Sequence, residues 1–176
     1  MQSRAATTTC LRSTTPIVNK VGHTASMNEP VIRQEIVKLL REGQAHVTLE
    51  YALKDLSLDN ATRRPEGLKS IWEIFEHMRI AQRDILDYTR DPAHPSPPWP
   101  EGYWREMPED FGERVWQETY DALFADRDAL IALAQTVNLT EVLEGTPGHT
   151  LLRQLLIAAD HNAHHLGQII DVRRLL

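Results

Sequence analysis

The chain has 176 residues, a hydrophobic share of 41% and a formal charge of −6. This length suits one domain with a real core, and the acidic balance argues against nucleic acid as a partner. The sequence contains no run of about 18 apolar residues, so we expect no membrane-spanning helix. The single cysteine, Cys10, excludes an intramolecular disulfide and a CxxC zinc site, and it favours a reducing, cytoplasmic setting.

The first 26 residues differ from the rest of the chain. They contain three cations and no acid, they are rich in serine and threonine, and they lack helical periodicity. This composition is typical of a transit peptide, but it also fits a disordered tail, residues added for expression, or a true start at Met27. We therefore predict a leader-like or disordered tail at 1–27 and one folded domain at 28–176, whose own formal charge is −9.

From Met27 onward, apolar residues recur at helical spacing. The predicted helical segments cover about residues 28–42, 49–56, 70–90, 112–136 and 150–174. Thr48 is placed to cap the second segment, and Ser70 to Glu73 match a capping box at the start of the third. The stretches 59–69 and 91–108, with their prolines and glycines, indicate loops. Four long helical segments without strand alternation predict an all-α four-helix bundle.

Three histidines fall on inward-facing positions of these helices. His161 and His165 are four residues apart, so their imidazoles share one helix face, and His77 lies within the apolar stripe of segment 70–90. Three imidazoles from facing helices can hold one divalent ion and leave positions open for water or substrate, as in catalytic sites. Each histidine taken singly could instead be a hydrogen-bonded core residue. The combination favours the metal hypothesis.

Other metal motifs fail on specific residues. A zinc-protease helix needs Glu directly after its first His, whereas Asn162 follows His161 here. A di-iron bundle needs Glu-x-x-His pairs and carboxylates from several helices, and the last predicted helix contains no glutamate. His164 and Asp160 have the spacing of a solvated helix-surface pair, although Asp160 could instead orient a ligand histidine. The remaining histidines are predicted at the surface: His23, His46, His94 and His149.

Two segments resemble the DinB-like (DinB/YfiT) metalloenzyme superfamily. They are Ser70-Ile-Trp-Glu-Ile-Phe-Glu-His77-Met-Arg and Ala159-Asp-His161-Asn-Ala-His-His165-Leu-Gly-Gln. The resemblance covers about residues 28–176. It implies an up-down-down-up four-helix bundle, often dimeric, with a divalent nickel, zinc or iron ion held by His77, His161 and His165. This chain has Leu166 where many relatives have arginine, a departure that leaves the ligand positions intact.

The resemblance also implies candidate chemistry. Some relatives are transferases or isomerases that use a low-molecular-weight thiol, and others have no known activity. We therefore predict a metal-dependent enzyme, a thiol transferase or hydrolase-like, acting on a small molecule in a homodimer. A non-catalytic metal-binding or stress-related protein is the second hypothesis. The loop 91–108, with Trp99 and Trp104, is placed to cover either the site or apolar bundle surface. Candidate base or thiol-binding groups are Glu73, Glu76, Gln82 and Asp84.

Overall fold

Helices make up the regular structure of the computed structural model, which describes residues 28–176. The predictions for the tail at 1–27 lie outside the described residues. Within 28–176 there are six α-helices and no strand, and a 3-10 turn, Glu101–Tyr103, interrupts the long loop before the fifth helix. The predicted all-α bundle is confirmed. The helices are α1 Glu29–Arg41, α2 Leu49–Leu53, α3 Leu58–Thr62, α4 Ile71–Arg90, α5 Glu113–Thr136 and α6 Leu151–Arg174.

The two short helices differ from the prediction. Helix α2 ends at Leu53, short of the predicted residue 56, and Asp55 just beyond it adopts a left-handed φ of 56°. The prediction of a loop over 59–69 is wrong for residues 59–62, which belong to α3. Helix α3 forms because the Ser57 hydroxyl accepts a hydrogen bond from the Asn60 amide at 3.2 Å. Five residues are too few to show a periodic apolar face.

The start of α4 is held by the predicted capping box. The Ser70 hydroxyl accepts from the Glu73 amide at 3.2 Å, and the Glu73 carboxylate accepts from the Ser70 amide at 2.9 Å. Asn28 stands at the predicted cap position of α1, but its side chain makes no capping hydrogen bond. The capping box matters for the candidate site because it begins the helix that carries His77.

We expect Ser70→Ala to lower the free energy of unfolding by about 1–2 kcal/mol, because it removes the cap and leaves a buried amide without a partner. Thr150→Ala is the matched control, since Thr150 caps α6 by accepting from the Arg153 amide in an exposed setting. It should cost less, about 0.5–1 kcal/mol. Urea unfolding followed by circular dichroism measures both losses. Equal losses would contradict the burial argument.

Helix α4 packs against α6 in the opposite chain direction. His77 contacts His161 at a nitrogen separation of 3.2 Å, and near the other end of α4 the Tyr88 hydroxyl lies 2.7 Å from His149 Nδ1. The prediction of a surface position for His149 is therefore wrong: it is partly buried and paired with Tyr88. This antiparallel contact brings ligand candidates from distant parts of the sequence to one level of the bundle.

Helix α5 packs against α4 in the same chain direction. Trp72 Nε1 donates to Thr119 Oγ1 at 3.3 Å near the start of both helices. Further along both helices, Arg83 pairs with Asp126 at 2.7 Å. Helix α1 lies against the far end of α5, where Arg33 donates to the Ala134 carbonyl. None of the described helices combines the length and apolar character needed to cross a bilayer.

Two clusters of buried apolar residues form the core. The first joins α1, α4, α5 and α6, and it comprises Ile36, Leu40, Leu86, Leu130, Ile131, Ala134, Leu139, Leu151, Leu155 and Ala158. The second comprises Ala52, Leu53, Ile71, Ile74, Phe75, Met78, Leu123, Leu166, Ile169 and Val172. Met78 and Leu166 directly follow His77 and His165 in the chain. The second cluster therefore holds the backbone of both histidines in place.

Candidate metal centre

Three imidazoles meet between α4 and α6, as the sequence analysis predicts for His77, His161 and His165. Their ring centroids are 5.1, 4.6 and 4.4 Å apart, and one ligand-capable nitrogen from each lies within 4.8 Å of the others. His77 Nε2 and His161 Nε2 are separated by 3.2 Å. Two nitrogens bound tetrahedrally to zinc at about 2.0–2.1 Å would be about 3.3 Å apart. The spacing therefore fits two ligands of one ion.

His77 is held in one tautomer by the backbone. Its Nδ1 lies 2.9 Å from the Tyr103 carbonyl oxygen. A carbonyl can only accept, so Nδ1 carries the proton and donates, which leaves the Nε2 lone pair facing the other histidines. The Trp104 indole stacks on the His77 ring with a centroid distance of 4.0 Å and an interplanar angle of 2°. Both contacts orient the imidazole for ligation.

His165 is held in the same tautomer by a side chain. Its Nδ1 lies 2.7 Å from Gln168 Oε1, while Gln168 Nε2 donates to His164 Nε2 at 3.2 Å. His165 Nδ1 is therefore the donor, and its Nε2 is available to an ion. His161 differs, because its Nδ1 is buried and has no hydrogen-bond partner within the described residues. With Nε2 of His161 facing His77, no acceptor in that part of the chain fixes the tautomer of His161.

The three imidazoles are neutral at physiological pH. Burial is the largest cause that lowers the pKa of His161 to about 4, and positive charge on His165 or His77 would lower it further. Burial likewise lowers the pKa of His165 to about 4, against the opposing hydrogen bond to Gln168. Burial also lowers the pKa of His77, which the Tyr103 carbonyl partly offsets. Neutral imidazole is the form that binds a metal ion.

The carboxylates on α4 are engaged away from the histidines. Within residues 28–176, no aspartate or glutamate joins the three-histidine group. Glu76 accepts two hydrogen bonds from Arg79 at 2.8 Å and one from Thr119 at 3.1 Å. Glu73 accepts from Arg64 at 2.7 Å as well as from the α4 cap. Neither side chain is free to act as a base at the site.

The other two candidate groups are also paired. Gln82 donates to the Leu123 carbonyl at 2.6 Å and accepts from Asn162 at 2.8 Å, so it ties α4 to α5 and α6. Asp84 accepts from the Tyr103 hydroxyl at 2.7 Å. Burial, and then this contact with Asp84, raises the pKa of Tyr103 to about 12. Tyr103 therefore stays protonated and anchors its loop to α4.

The loop between α4 and α5 contributes contacts that sequence reasoning did not find. The Tyr103 carbonyl has no signature in the sequence, because any residue offers a carbonyl. Trp104 lies against His77, whereas Trp99 is 75% exposed. The suggestion that Asp160 orients a ligand histidine is wrong, because that acceptor role falls to Tyr103 and Gln168. The spacing of Gln168, three residues after His165, was a signal that could have identified it.

The fold and the site define a helical-bundle protein with a three-histidine cluster that could hold a metal ion. The chain belongs to the DinB superfamily, whose family model matches residues 40–169 and so includes all three histidines. No curated protein and no solved structure matches the chain.

Proposed function

We propose that the protein is a divalent-metal-dependent enzyme whose ion is held by His77, His161 and His165. The convergence of three neutral imidazoles within 4.8 Å carries this proposal. Three neutral ligands leave the charge of the ion uncompensated and leave coordination positions open. Imidazole ligation suits nickel, zinc and iron. Membership of the DinB superfamily supports the same assignment, because the matched residues 40–169 include all three histidines.

Thiol transfer is the reaction class that we propose, with a low-molecular-weight thiol as one substrate. A divalent ion at this position would lower the pKa of a thiol or water that it coordinates. The residues of the chain orient the ligands: the Tyr103 carbonyl and the Gln168 amide hold the two Nδ1 protons. The Trp104 indole covers one face of His77 and excludes water from it. Hydrolysis or a related addition would use the same arrangement.

A non-catalytic metal-binding protein is the alternative. One observation favours it, namely that the four candidate base or thiol-binding groups on α4 each hydrogen-bond to other residues, with only the Oδ1 atom of Asp84 left without a partner in the described residues. Glu73 and Glu76 are bound to arginines, Gln82 to a backbone carbonyl, and Asp84 to the Tyr103 hydroxyl. Under this alternative the cluster binds an ion with the same affinity but supports no turnover.

A transferase assay on protein loaded with nickel, zinc or iron distinguishes the two functions. We expect conjugation of an electrophile such as 1-chloro-2,4-dinitrobenzene to a physiological thiol, with a rate that rises near neutral pH. Chelation should remove this rate and metal addition should restore it. His46→Ala is the control, because His46 is exposed and lies outside the cluster. Full metal occupancy without metal-dependent turnover across a panel of thiols and electrophiles would favour the binding protein.

A further inference from the structure

A group of cations borders the candidate metal centre, although residues 28–176 are acidic overall, with a formal charge of −9. Two buried carboxylates at the start of α4, Glu73 and Glu76, are surrounded by four basic side chains. This cationic patch consists of Arg64, Lys69, Arg79 and Arg105. Four positive charges against two negative ones leave a local excess of +2. These six side chains therefore carry a net positive charge, unlike the domain as a whole.

The two carboxylates point inward, and the side chains of the cationic patch lie on their solvent side. The Glu73 and Glu76 side chains are each 1% exposed, whereas Lys69 is 50% and Arg105 is 53% exposed. Lys69 Nζ donates one hydrogen bond, to Glu73 at 3.1 Å. Arg105 donates to Glu76 through one nitrogen at 3.4 Å. An ammonium has three donors and a guanidinium has five. Both side chains therefore keep donors for a ligand in solvent.

Trp104 connects this patch to the histidine cluster. Lys69 Nζ lies 5.3 Å from the centroid of the indole that stacks on His77, and Arg105 follows Trp104 in the chain. A substrate that approached the cluster past Trp104 would therefore meet these two cations. Asp84 is the carboxylate that anchors the same loop: its Oδ2 accepts from the Tyr103 hydroxyl, and its Oδ1 is buried.

We propose that the thiol substrate of this site carries a carboxylate, which Lys69 and Arg105 bind while the sulfur faces His77, His161 and His165. This inference rests on the proposed metal-dependent function. The excess positive charge of the patch attracts the carboxylate. An ion whose three protein ligands carry no charge would attract the sulfur. A neutral thiol of the same size lacks the first of these interactions.

The test compares N-acetylcysteine with its uncharged amide on Co(II)-loaded protein, with thiol binding followed by absorption. We expect the acid to bind roughly tenfold more tightly than the amide at low salt, because a hydrogen bond between charged groups is among the stronger ones. Lys69→Gln and Arg105→Gln should each remove most of this preference and leave amide binding unchanged. Each buried glutamate keeps an arginine in these variants, which are Arg64 for Glu73 and Arg79 for Glu76.

Controls separate this inference from the function on which it rests. Lys54→Gln removes an exposed cation outside the patch and should leave the preference unchanged. Salt at about 0.5 M should weaken binding of the acid more than that of the amide. Equal affinities for acid and amide, or a preference that survives in both patch variants, would overturn the inference. Failure of the wild-type chain to take up Co(II) would instead reject the proposed metal site.

Discussion

His161→Ala is expected to abolish stoichiometric binding of a divalent ion, which the wild-type chain should hold at about one ion per chain. His161 supplies one of three nitrogens within 4.8 Å of one another, and the described residues offer no carboxylate to replace it. Losing an outer hydrogen-bond partner of a ligand typically costs about 10–100-fold in affinity, and losing the ligand itself costs more. Metal analysis of purified protein and titration calorimetry measure both stoichiometry and affinity.

The same measurement distinguishes ligands from the residues that orient them. His77→Ala and His165→Ala should match His161→Ala, whereas Gln168→Ala should weaken binding by only about 10–100-fold, because it removes the acceptor of the His165 Nδ1 proton. His46→Ala should bind as the wild type does. Full occupancy in a variant that lacks all three cluster histidines would reject the site.

The metal-free protein is expected to lose stability as the pH falls from 7 to about 5. Folding lowers the pKa values of His161 and His165 from 6.5 to about 4, so the unfolded chain takes up protons in this window and the folded chain does not. The stabilising contribution is therefore present above pH 6.5 and is lost as the pH falls toward 4. One pKa unit corresponds to about 1.4 kcal/mol. With solvent screening at the partly exposed His161, the expected loss by pH 5 is about 2–3 kcal/mol.

Urea unfolding of chelator-treated protein at several pH values measures this loss. His161→Ala should show a shallower dependence, because it removes one of the two shifted groups and the charge repulsion within the cluster. Wild-type protein with saturating metal should be more stable throughout this window and keep the full pH dependence, since the ion holds the folded ligands deprotonated while the unfolded chain still takes up protons. A free energy of unfolding that is constant from pH 7 to 5 without metal would contradict the neutral, buried state of the imidazoles.

The long helices and the ligand candidates were predictable because each depends on short-range sequence patterns. The i, i+4 spacing of His161 and His165 and the apolar stripe around His77 indicate one face of each helix, and the faces meet once the bundle forms. Helix α3 was not predictable in this way, because its only local signal is the Ser57 cap. Periodicity needs two turns or more to be seen.

The contacts that orient the three histidines were harder to predict than the histidine cluster itself. Tyr103 acts through its backbone carbonyl, so its side chain gives no hint of the role. Trp104 reaches His77 only because the loop is anchored at Asp84 by the Tyr103 hydroxyl. The sequence allowed two interpretations of the loop 91–108, which could cover either the site or apolar surface of the bundle. Only the three-dimensional path of the chain places Trp104 on His77.

Under the proposed metal binding, the positions of the three histidines in the chain would connect metal supply to the amount of folded protein. His77 and His161 are 84 residues apart, so an unfolded chain keeps at most the local pair on α6 and loses the third ligand. An ion that binds the complete cluster therefore favours the folded chain by mass action, by about 2.7 kcal/mol at a free metal concentration 100 times the dissociation constant. Proteases act mainly on unfolded chains. Metal scarcity would thus shorten the lifetime of the protein before any effect on catalysis is considered.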